Sequence, residues 1–220
     1  LLGAHNRRNA LIARACLAAL GLPQAADDAR LRAAAAGFEH LSHRLQPVGT
    51  ISGVTFIDDS LSTNVLPTLA AMDAFPGRRV ALIAGGHDRG IDYAPLAAGL
   101  APRTAPTLVL TLPDSGPRIA AALAGSSPSA ETNPAPPAAT PAPARLEVRQ
   151  CQDLDAAVRA GFAWARPDGI VLLSPAAPSF GAFRNYRDRG EAFARAMRAC
   201  APPPVAAAPA RPDLSSTPPL

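Results

Sequence analysis

The spacing of hydrophobic residues along the chain changes near residue 37. Before this point apolar residues recur every three or four positions, which predicts helices over residues 6–20 and 27–36. After this point short apolar runs alternate with further helical patterns. The pattern therefore predicts two initial helices followed by a domain in which strands and helices alternate.

The domain after residue 37 is predicted to contain six strands. Most of their apolar runs are nearly continuous, which is typical of parallel strands that helices cover on both faces. The predicted fold class is α/β, with a Rossmann-like, doubly wound and mostly parallel sheet over residues 37–200. The predicted strands are LQPVG, VTFID, 80–86, 107–112, 146–151 and 169–175, and the predicted helices are 63–74, 92–100, 115–124, 153–165 and 185–200.

Three polar segments follow strands of this predicted sheet: DDSLSTN at 58–64, GGHDRG at 85–90 and SPAAPSFGAF at 174–183. Ligands of doubly wound folds bind beyond the carboxyl ends of the strands. We therefore expect these three segments to lie at the binding edge of the sheet.

The first of these segments places two carboxylates, Asp58 and Asp59, at the end of a buried strand. An acid in this position accepts hydrogen bonds from ribose hydroxyls in dinucleotide-binding folds. Thr63 adds a hydroxyl and backbone N–H groups at a helix start, which suits an anion. An acidic strand end, with an aspartate capping the following helix, is the plainer alternative, and the pattern leaves both open.

In the second segment, Gly85 and Gly86 would let a ligand approach the backbone, and Arg89 could bind a carboxylate through two hydrogen bonds. The alternative is an ordinary turn with a solvated arginine. The chain contains neither a GxxxxGK[ST] phosphate loop nor a GxGxxG motif after a strand, so the usual phosphate-binding motifs are absent.

In the third segment, Ser174 and Ser179 could donate hydrogen bonds at the strand end. Phe180, Phe183 and Tyr186 could line a pocket or belong to the core. The chain has no GxSxG motif, so a serine nucleophile has little support.

Near the amino end, Asn6 and Asn9 lie three residues apart on one face of the first predicted helix. Their amides could read an adenine edge, and an N-cap with a surface asparagine is the alternative. The four histidines show no HExxH motif or clustered spacing, so no metal site is predicted.

Composition limits the classes of partner. The net charge is +4, aromatic residues make up 5%, and no long basic block occurs, so no nucleic-acid partner is predicted. A mildly basic face suits phosphorylated small molecules. Two Pro-rich segments are predicted not to fold: a low-complexity surface insertion at 126–144 and a disordered tail at 201–220.

The three cysteines form no CxxC pair, which argues against a disulfide framework or a zinc site and favours a reducing, cytoplasmic location. No apolar run approaches the roughly 18 residues of a membrane span, so no membrane partner is predicted. The chain opens without Met in what reads as mid-domain sequence, and we expect it to be a fragment.

Five segments in this order carry a resemblance to a known family: AHNRRNAL, SHR, FIDDSLSTN, AGGHDRG and LLSPAAPSFGAFRNYRDRGEAF. Together they resemble the Mur ligases and, within them, the glutamate-adding MurD type. The resemblance implies that residues 1–36 end a central ATP-binding domain. It also implies that residues 37–200 form the C-terminal glutamate-binding domain.

The resemblance implies an activity as well. Ligases of this type join glutamate to UDP-N-acetylmuramoyl-L-alanine in peptidoglycan synthesis, using ATP to form an acyl phosphate. ATP and Mg²⁺ are the implied cofactors, with the magnesium ligands expected in the central domain outside this chain. The protein is expected to be a monomer, and the fragment is expected to be inactive alone.

Residue by residue, the resemblance implies two sets of binding residues, and it assigns no catalytic residue and no metal ligand to this fragment. The residues implied for ATP are Asn6, Asn9, Arg44 and Asp59, and those implied for glutamate are Thr63, Arg89, Ser179, Phe180 and Tyr186.

Two residues depart from the usual family pattern, because Leu61 and Arg89 stand where that pattern has lysines. The HDRG and DDSxST segments look similar to a rarer branch that adds L-glutamate, whereas D-glutamate is the leading expectation. The L-glutamate variant and a non-catalytic nucleotide-binding module remain as alternatives. SPAAPSFGAF argues against a folylpolyglutamate-type ligase.

Overall fold

The structure, a computed structural model, describes residues 4–37, 41–125 and 146–201. The helices are α1 (Ala4–Ala19), α2 (Asp28–Ala36), α3 (Val65–Met72), α4 (Ala94–Leu100), α5 (Gly116–Gly125), α6 (Leu154–Ala165) and α7 (Tyr186–Ala199), with a 3₁₀-helix at Pro23–Ala26. The strands are β1 (Gln46–Ile51), β2 (Val54–Asp58), β3 (Val80–Ala84), β4 (Thr107–Thr111), β5 (Leu146–Gln150) and β6 (Ile170–Leu173).

These strands form one sheet in the order β1-β2-β6-β3-β4-β5. β1 and β2 pair antiparallel, and the other neighbouring pairs are parallel. β6 lies between β2 and β3, where Leu172 is level with Ile57 on one side and Leu82 on the other. The predicted α/β class with a mostly parallel sheet is confirmed.

Helices cover both faces of the sheet. Successive residues of a strand point to opposite faces, so Leu82 packs with α3, α4 and α5, whereas Ala81 and Ile83 pack with α6 and α7. β3, β4 and β6 are buried along their whole length, which accounts for their continuous apolar runs. Full burial of each large aliphatic side chain contributes roughly 1.5–3 kcal/mol, so the central strands are a firm base for the loops that follow them.

Side-chain caps determine where several helices begin. Asp27, Asn64, Asp153 and Asn185 each accept a hydrogen bond from a backbone N–H at the start of α2, α3, α6 and α7 respectively. Because Asn64 caps α3, this helix begins at Val65. The plainer alternative for DDSLSTN, in which an aspartate caps this helix, is therefore wrong.

The apolar stripe predicted on the first helix is not covered by the described part of the chain, since Leu11, Ile12 and Leu20 expose 65%, 56% and 74% of their surface. Within the described ranges, no helix combines the length and apolar character that crossing a membrane requires. The predicted insertion at 126–144 lies outside the described residues, as does the predicted tail apart from residue 201. The predicted division of the chain into domains stays a prediction.

Candidate functional site

Four loops meet at the carboxyl ends of neighbouring parallel strands, and we call this region the carboxyl edge. Backbone hydrogen bonds join the loops, because His87 donates to the carbonyl of Pro178 (2.9 Å) and Ser115 donates to the carbonyl of Gly86 (3.0 Å). The three polar segments predicted for the binding edge do lie together. The loops are 59–64 after β2, 174–185 after β6, 85–93 after β3 and 112–115 after β4.

Asp59 is buried at the start of the loop after β2, with 1% of its surface exposed. Its Oδ1 accepts a hydrogen bond from the backbone N–H of Leu45 (3.1 Å), and its Oδ2 accepts from the hydroxyls of Ser62 and Ser174 (2.5 and 2.7 Å). Burial raises the pKa of Asp59, and these hydrogen bonds partly offset the rise. The carboxylate therefore ties the segment before β1 to the ends of β2 and β6.

Asp58 is also buried and bonds to a different set of groups. Its Oδ2 lies 2.7 Å from Nδ1 of His43, and its Oδ1 accepts a hydrogen bond from the backbone N–H of Ser60 (2.9 Å). The ring edge of His43 faces the ring of Tyr186, with centroids 5.7 Å apart. Asp58 thus links the segment before β1 to the start of α7.

Arg189 on α7 is a buried cation that the sequence patterns did not single out. Its guanidinium donates to the carbonyls of Ser60 (2.9 Å) and Ala177 (3.1 Å), which joins the loops after β2 and β6. Burial lowers the pKa of Arg189 to about 10, and the charge of Asp58 opposes this lowering. Arg189 lies four residues before the buried Phe193, and this helical spacing was the available signal that it faces inward.

The two glycines after β3 admit neighbouring parts of the protein. A Cβ atom on Gly86 would lie 2.3 Å from the carbonyl oxygen of Pro178 and 3.0 Å from Arg189, and one on Gly85 would lie 3.0 Å from the backbone of Leu112. The sequence suggested that these glycines make room for a ligand. The structure instead fills this space with the loops after β4 and β6 and with Arg189.

An exposed network holds the loop after β3. The carboxylate of Asp114 accepts a hydrogen bond from the backbone N–H of Asp88 (3.1 Å), and the same oxygen lies 3.1 Å from Nδ1 of His87. Arg118 of α5 donates to the carboxylate of Asp88 (2.5 Å). The backbone N–H of Gly90 lowers the pKa of Asp88, and Arg118 adds to this effect.

The residues implied for glutamate all lie on the loops of the carboxyl edge or at the start of α7. Ser179 and Phe180 line an open cavity of about 460 Å³, which is bordered mainly by the loops after β3, β4, β5 and β6. Thr63 and Arg89 are exposed, and neither they nor Tyr186 line this cavity. The structure thus brings two of the five residues into one cavity, and their assignment to glutamate stays a prediction.

The residues implied for ATP lie in two parts of the chain. Arg44 is half-buried beside Asp59, and its positive charge opposes the rise that burial causes in the pKa of that carboxyl. Asn6 and Asn9 lie on α1, where Asn6 is half-buried and Asn9 is exposed. Their assignment to a nucleotide stays a prediction.

Magnesium, which the resemblance implies, does not fit a site in the described chain. Residues 4–37, 41–125 and 146–201 contain no group of three or more His, Cys, Asp or Glu side chains that could hold a metal ion. The carboxylates of Asp58 and Asp59 are instead bonded to protein groups.

Comparison with known proteins relates this edge to one family. The family described as "Mur ligase, glutamate ligase domain" matches residues 43–177. The chain is 46% identical over 198 residues to a UDP-N-acetylmuramoyl-L-alanine–L-glutamate ligase of Micromonospora sp., covering 90% of this chain and 40% of that protein. Proteins with the same name from Salinispora tropica and Xanthomonas euvesicatoria are each 42% identical, over 90% and 88% of this chain and 40% and 37% of their own length. The chain therefore spans well under half of these relatives.

Solved structures support the fold alone. A folylpolyglutamate synthase of Mycobacterium tuberculosis, complexed with ADP and AMPPCP, is 19% identical with a TM-score of 0.53, over 88% of this chain and 41% of that one. A murein peptide ligase of Psychrobacter arcticus is 16% identical with a TM-score of 0.50, over 89% of this chain and 37% of that one.

Proposed function

The chain belongs to the Mur ligase family, and from this premise we propose that it is the C-terminal part of an ATP-dependent ligase of peptidoglycan synthesis. The proposed reaction joins glutamate to UDP-N-acetylmuramoyl-L-alanine. The observation that carries the proposal is the family match, because residues 43–177 include the loops after β2, β3 and β4 and enter the loop after β6. Residues 1–36 are proposed to end the central ATP-binding domain.

In the proposed reaction, the terminal phosphoryl group of ATP passes to the alanyl carboxylate, and ADP leaves. The amine of glutamate then attacks the acyl carbon, phosphate departs, and the amine loses a proton as the amide forms. Within this chain, Asn6, Asn9 and Arg44 are proposed to contact the nucleotide. Asp59, whose buried carboxylate bonds to Leu45, Ser62 and Ser174, is proposed to belong to the nucleotide site without contacting the ligand itself. Closure of the domain would exclude water, which would otherwise hydrolyse the acyl phosphate.

The incoming amino acid would bind at the carboxyl edge. Glutamate brings two carboxylates, and Arg89 supplies an exposed cation on the loop after β3, which is joined to the loop of Ser179 and Phe180 by the hydrogen bond from His87 to Pro178. Thr63 and Tyr186 complete the proposed set from the loop after β2 and the start of α7. Magnesium would be held outside the described chain, where it would neutralise charge on the ATP phosphates.

We propose L-glutamate as the amino acid. The printed names of the relatives from Micromonospora, Salinispora and Xanthomonas support this choice. D-glutamate, the leading expectation from the sequence, is the alternative that the experiment must separate. A cytoplasmic location belongs to the same proposal, and the three free cysteines, Cys16, Cys151 and Cys200, support it.

The test uses the full-length protein that contains this chain. UDP-N-acetylmuramoyl-L-alanine and ATP are supplied with either L-glutamate or D-glutamate, and phosphate release and the mass of the product are followed. Product with L-glutamate alone is the expected result. Product with D-glutamate alone would reverse the choice of enantiomer. A folded protein that binds ATP and forms product with neither would favour a non-catalytic nucleotide-binding module.

Arg89→Ala tests the amino-acid site directly. Removing one cation from a carboxylate contact is expected to raise the KM for glutamate about tenfold or more, with a much smaller change in the KM for ATP. Arg149→Ala is the matched control, because Arg149 is exposed on the edge strand β5. A glutamate KM equal to that of the control would remove Arg89 from the site.

A further inference from the structure

We propose that Asp58 and Asp59 are positioning residues that fix Arg44 in the place from which it binds the nucleotide phosphates. His43 is the side chain through which Asp58 acts. The role of Arg44 rests on the proposed function. The contacts by which the loop after β2 holds the segment 43–46, which we call the clamp, rest on the structure. The clamp and the role of Arg44 can be tested separately.

The neighbouring carboxylates hold the residues on either side of Arg44. Asp58 bonds to the side chain of His43, at 2.7 Å from Nδ1, and Asp59 accepts from the backbone N–H of Leu45 at 3.1 Å. A third contact comes from the same loop, because the backbone N–H of Leu61 donates to the carbonyl of His43 (3.0 Å). The loop after β2 therefore holds His43 and Leu45, the residues directly before and after Arg44.

The backbone on both sides of Arg44 is held in a conformation that side chains disfavour. His43 has φ of 63° and Leu45 has φ of 45°, both in the left-handed region. A residue other than glycine is strained there, because its Cβ crowds the following carbonyl oxygen, and such residues persist only where the surrounding contacts fix the backbone. The contacts from Asp58, Asp59 and Leu61 are those surroundings. They set the direction in which Arg44 leaves the backbone.

The two carboxylates are themselves fixed. Ser60 donates to Asp58 through its backbone, and the hydroxyls of Ser62 and Ser174 donate to Asp59. Gly190 of α7 packs so closely that a Cβ atom there would lie 2.3 Å from both the Asp58 carboxylate and Nδ1 of His43. Neither partner of the 2.7 Å contact can move far without disturbing α7.

Arg44 itself is suited to a ligand. It is half-buried, and among the described residues its side chain has no hydrogen bond or ion pair, although its charge acts on Asp59. Because the backbone on both sides of Arg44 is already held, binding of an anion has to order only the Arg44 side chain and not the segment that carries it, which strengthens binding. Two acids at the end of a buried strand thus position an arginine that lies about 15 residues earlier in the chain.

The test uses the full-length protein, the variant Asp58→Asn and calorimetric titration with ATP. Asn keeps the size of the side chain and replaces the carboxylate that contacts Nδ1 of His43 with an amide, which is a weaker acceptor. Misplacing a binding group in this way is expected to weaken ATP binding about tenfold, as seen when supporting residues of other sites are changed. The KM for glutamate is expected to stay within about threefold, whereas general damage to the fold would raise both constants.

A double-mutant cycle separates positioning from an independent effect. If Asp58 acts through Arg44, Arg44→Ala/Asp58→Asn will bind ATP no more weakly than Arg44→Ala alone. Additive losses would overturn the proposal. His43→Ala serves as a second variant should Asp58→Asn fold poorly, and it is expected to give the same loss and the same lack of additivity. Asp155→Asn, on an exposed residue of α6, is the control.

Hydrogen exchange of the same variants tests the clamp without reference to any ligand. Asp58→Asn is expected to accelerate amide exchange over residues 43–46 and to leave β3 unchanged. Unchanged exchange over residues 43–46 would overturn the clamp, whatever the ATP data show. Normal ATP binding by Arg44→Ala, with faster exchange in Asp58→Asn, would instead remove Arg44 from the proposed nucleotide site and overturn the phosphate role of the clamp.

Discussion

Two Asp–His pairs lie at the carboxyl edge and differ mainly in their exposure to water. In the first, His43 and Asp58 are 2.7 Å apart, with 16% and 3% of their side chains exposed. In the second, His87 and Asp114 are 3.1 Å apart, with 48% and 52% exposed. Both pairs join a loop of the edge to another segment. They therefore share their residue types and their linking position, and they differ in burial.

The difference in burial implies different tasks for the two pairs. A buried carboxylate must keep its partners, because water cannot replace them when a contact breaks. An exposed pair exchanges its contact for water at little cost and leaves its loop able to adjust. The first pair is therefore suited to hold a backbone segment in one place. The second is suited to support the loop that presents Arg89.

The largest effect should come from Asp58→Ala. This change removes the partners of His43 and Ser60 and leaves the buried Arg189 without the carboxylate whose charge supports it. A buried polar group left without its partner costs about 1–3 kcal/mol in the free energy of unfolding, and the lost contacts of His43 and Ser60 together should cost about 2 kcal/mol or more. Urea denaturation of the 220-residue chain measures this cost.

Asp114→Ala is the matched control for that experiment. Because the His87–Asp114 pair is exposed, its loss should cost less than about 1 kcal/mol, apart from the cost of placing alanine at the left-handed backbone of Asp114 (φ 75°). Equal losses in the two variants would show that burial does not distinguish the pairs.

Gly190→Ala should have the next largest effect. Replacing an exposed glycine within a helix by alanine usually raises the free energy of unfolding by about 0.5–1 kcal/mol. Here the added Cβ would lie 2.3 Å from both Asp58 and His43, so the pair must separate or α7 must shift. We expect a loss of about 2 kcal/mol, measured by thermal or urea denaturation. Gly125→Ala, where no atom of the described residues lies within 4 Å of the added carbon, should be neutral or slightly stabilising.

A smaller effect should appear in the pH dependence of stability. Burial raises the pKa of Asp59 above its ordinary value of 3.8 in the unfolded chain. Between the two pKa values the folded state binds a proton that the unfolded state does not, so this group's contribution falls as the pH rises through that window. Above the folded pKa the contribution stays at its lower level.

Asp59→Asn removes this titration and keeps the shape of the side chain. The free energy of unfolding of the wild type relative to Asp59→Asn should therefore increase as the pH falls from about 7 to about 4. Urea denaturation at several pH values measures the difference, in which the other titrating groups cancel. A difference that is constant or that shrinks toward low pH would contradict the assignment.

Much of the fold could be predicted because its signals are local. Short windows of sequence contain these signals. They are the continuous apolar runs of β3, β4 and β6 and the polar segments that follow β2, β3 and β6. The position of β6 between β2 and β3 depends on pairing between distant strands, and no local pattern reports it. The sheet class was therefore predictable, whereas the strand order was not.

The same distinction applies to the candidate site. The pattern showed that Asp58 and Asp59 follow a buried strand, and it did not show which groups they bond. His43 and Leu45 lie in another segment, and Ser174 is 115 residues from Asp59. Arg189 was missed for a further reason: charged residues are mostly exposed, so its helical spacing with Phe193 carried little weight against its charge.

The smallest change in stability should come from Arg118→Ala, on the exposed side of the comparison. Arg118 donates to Asp88 and to the carbonyl of Ile91, and so supports the loop that carries Arg89. Exposed contacts of this kind contribute little, so the melting temperature should fall by no more than about 2–4 °C. The KM for glutamate should nevertheless rise several-fold in the full-length protein, while ATP binding stays unchanged, because Arg89 loses the support of its loop. This pattern is the reverse of that expected for Asp58→Asn. A loss of ATP affinity in Arg118→Ala would mean that the two sides of the edge act as one unit and that burial does not divide their tasks.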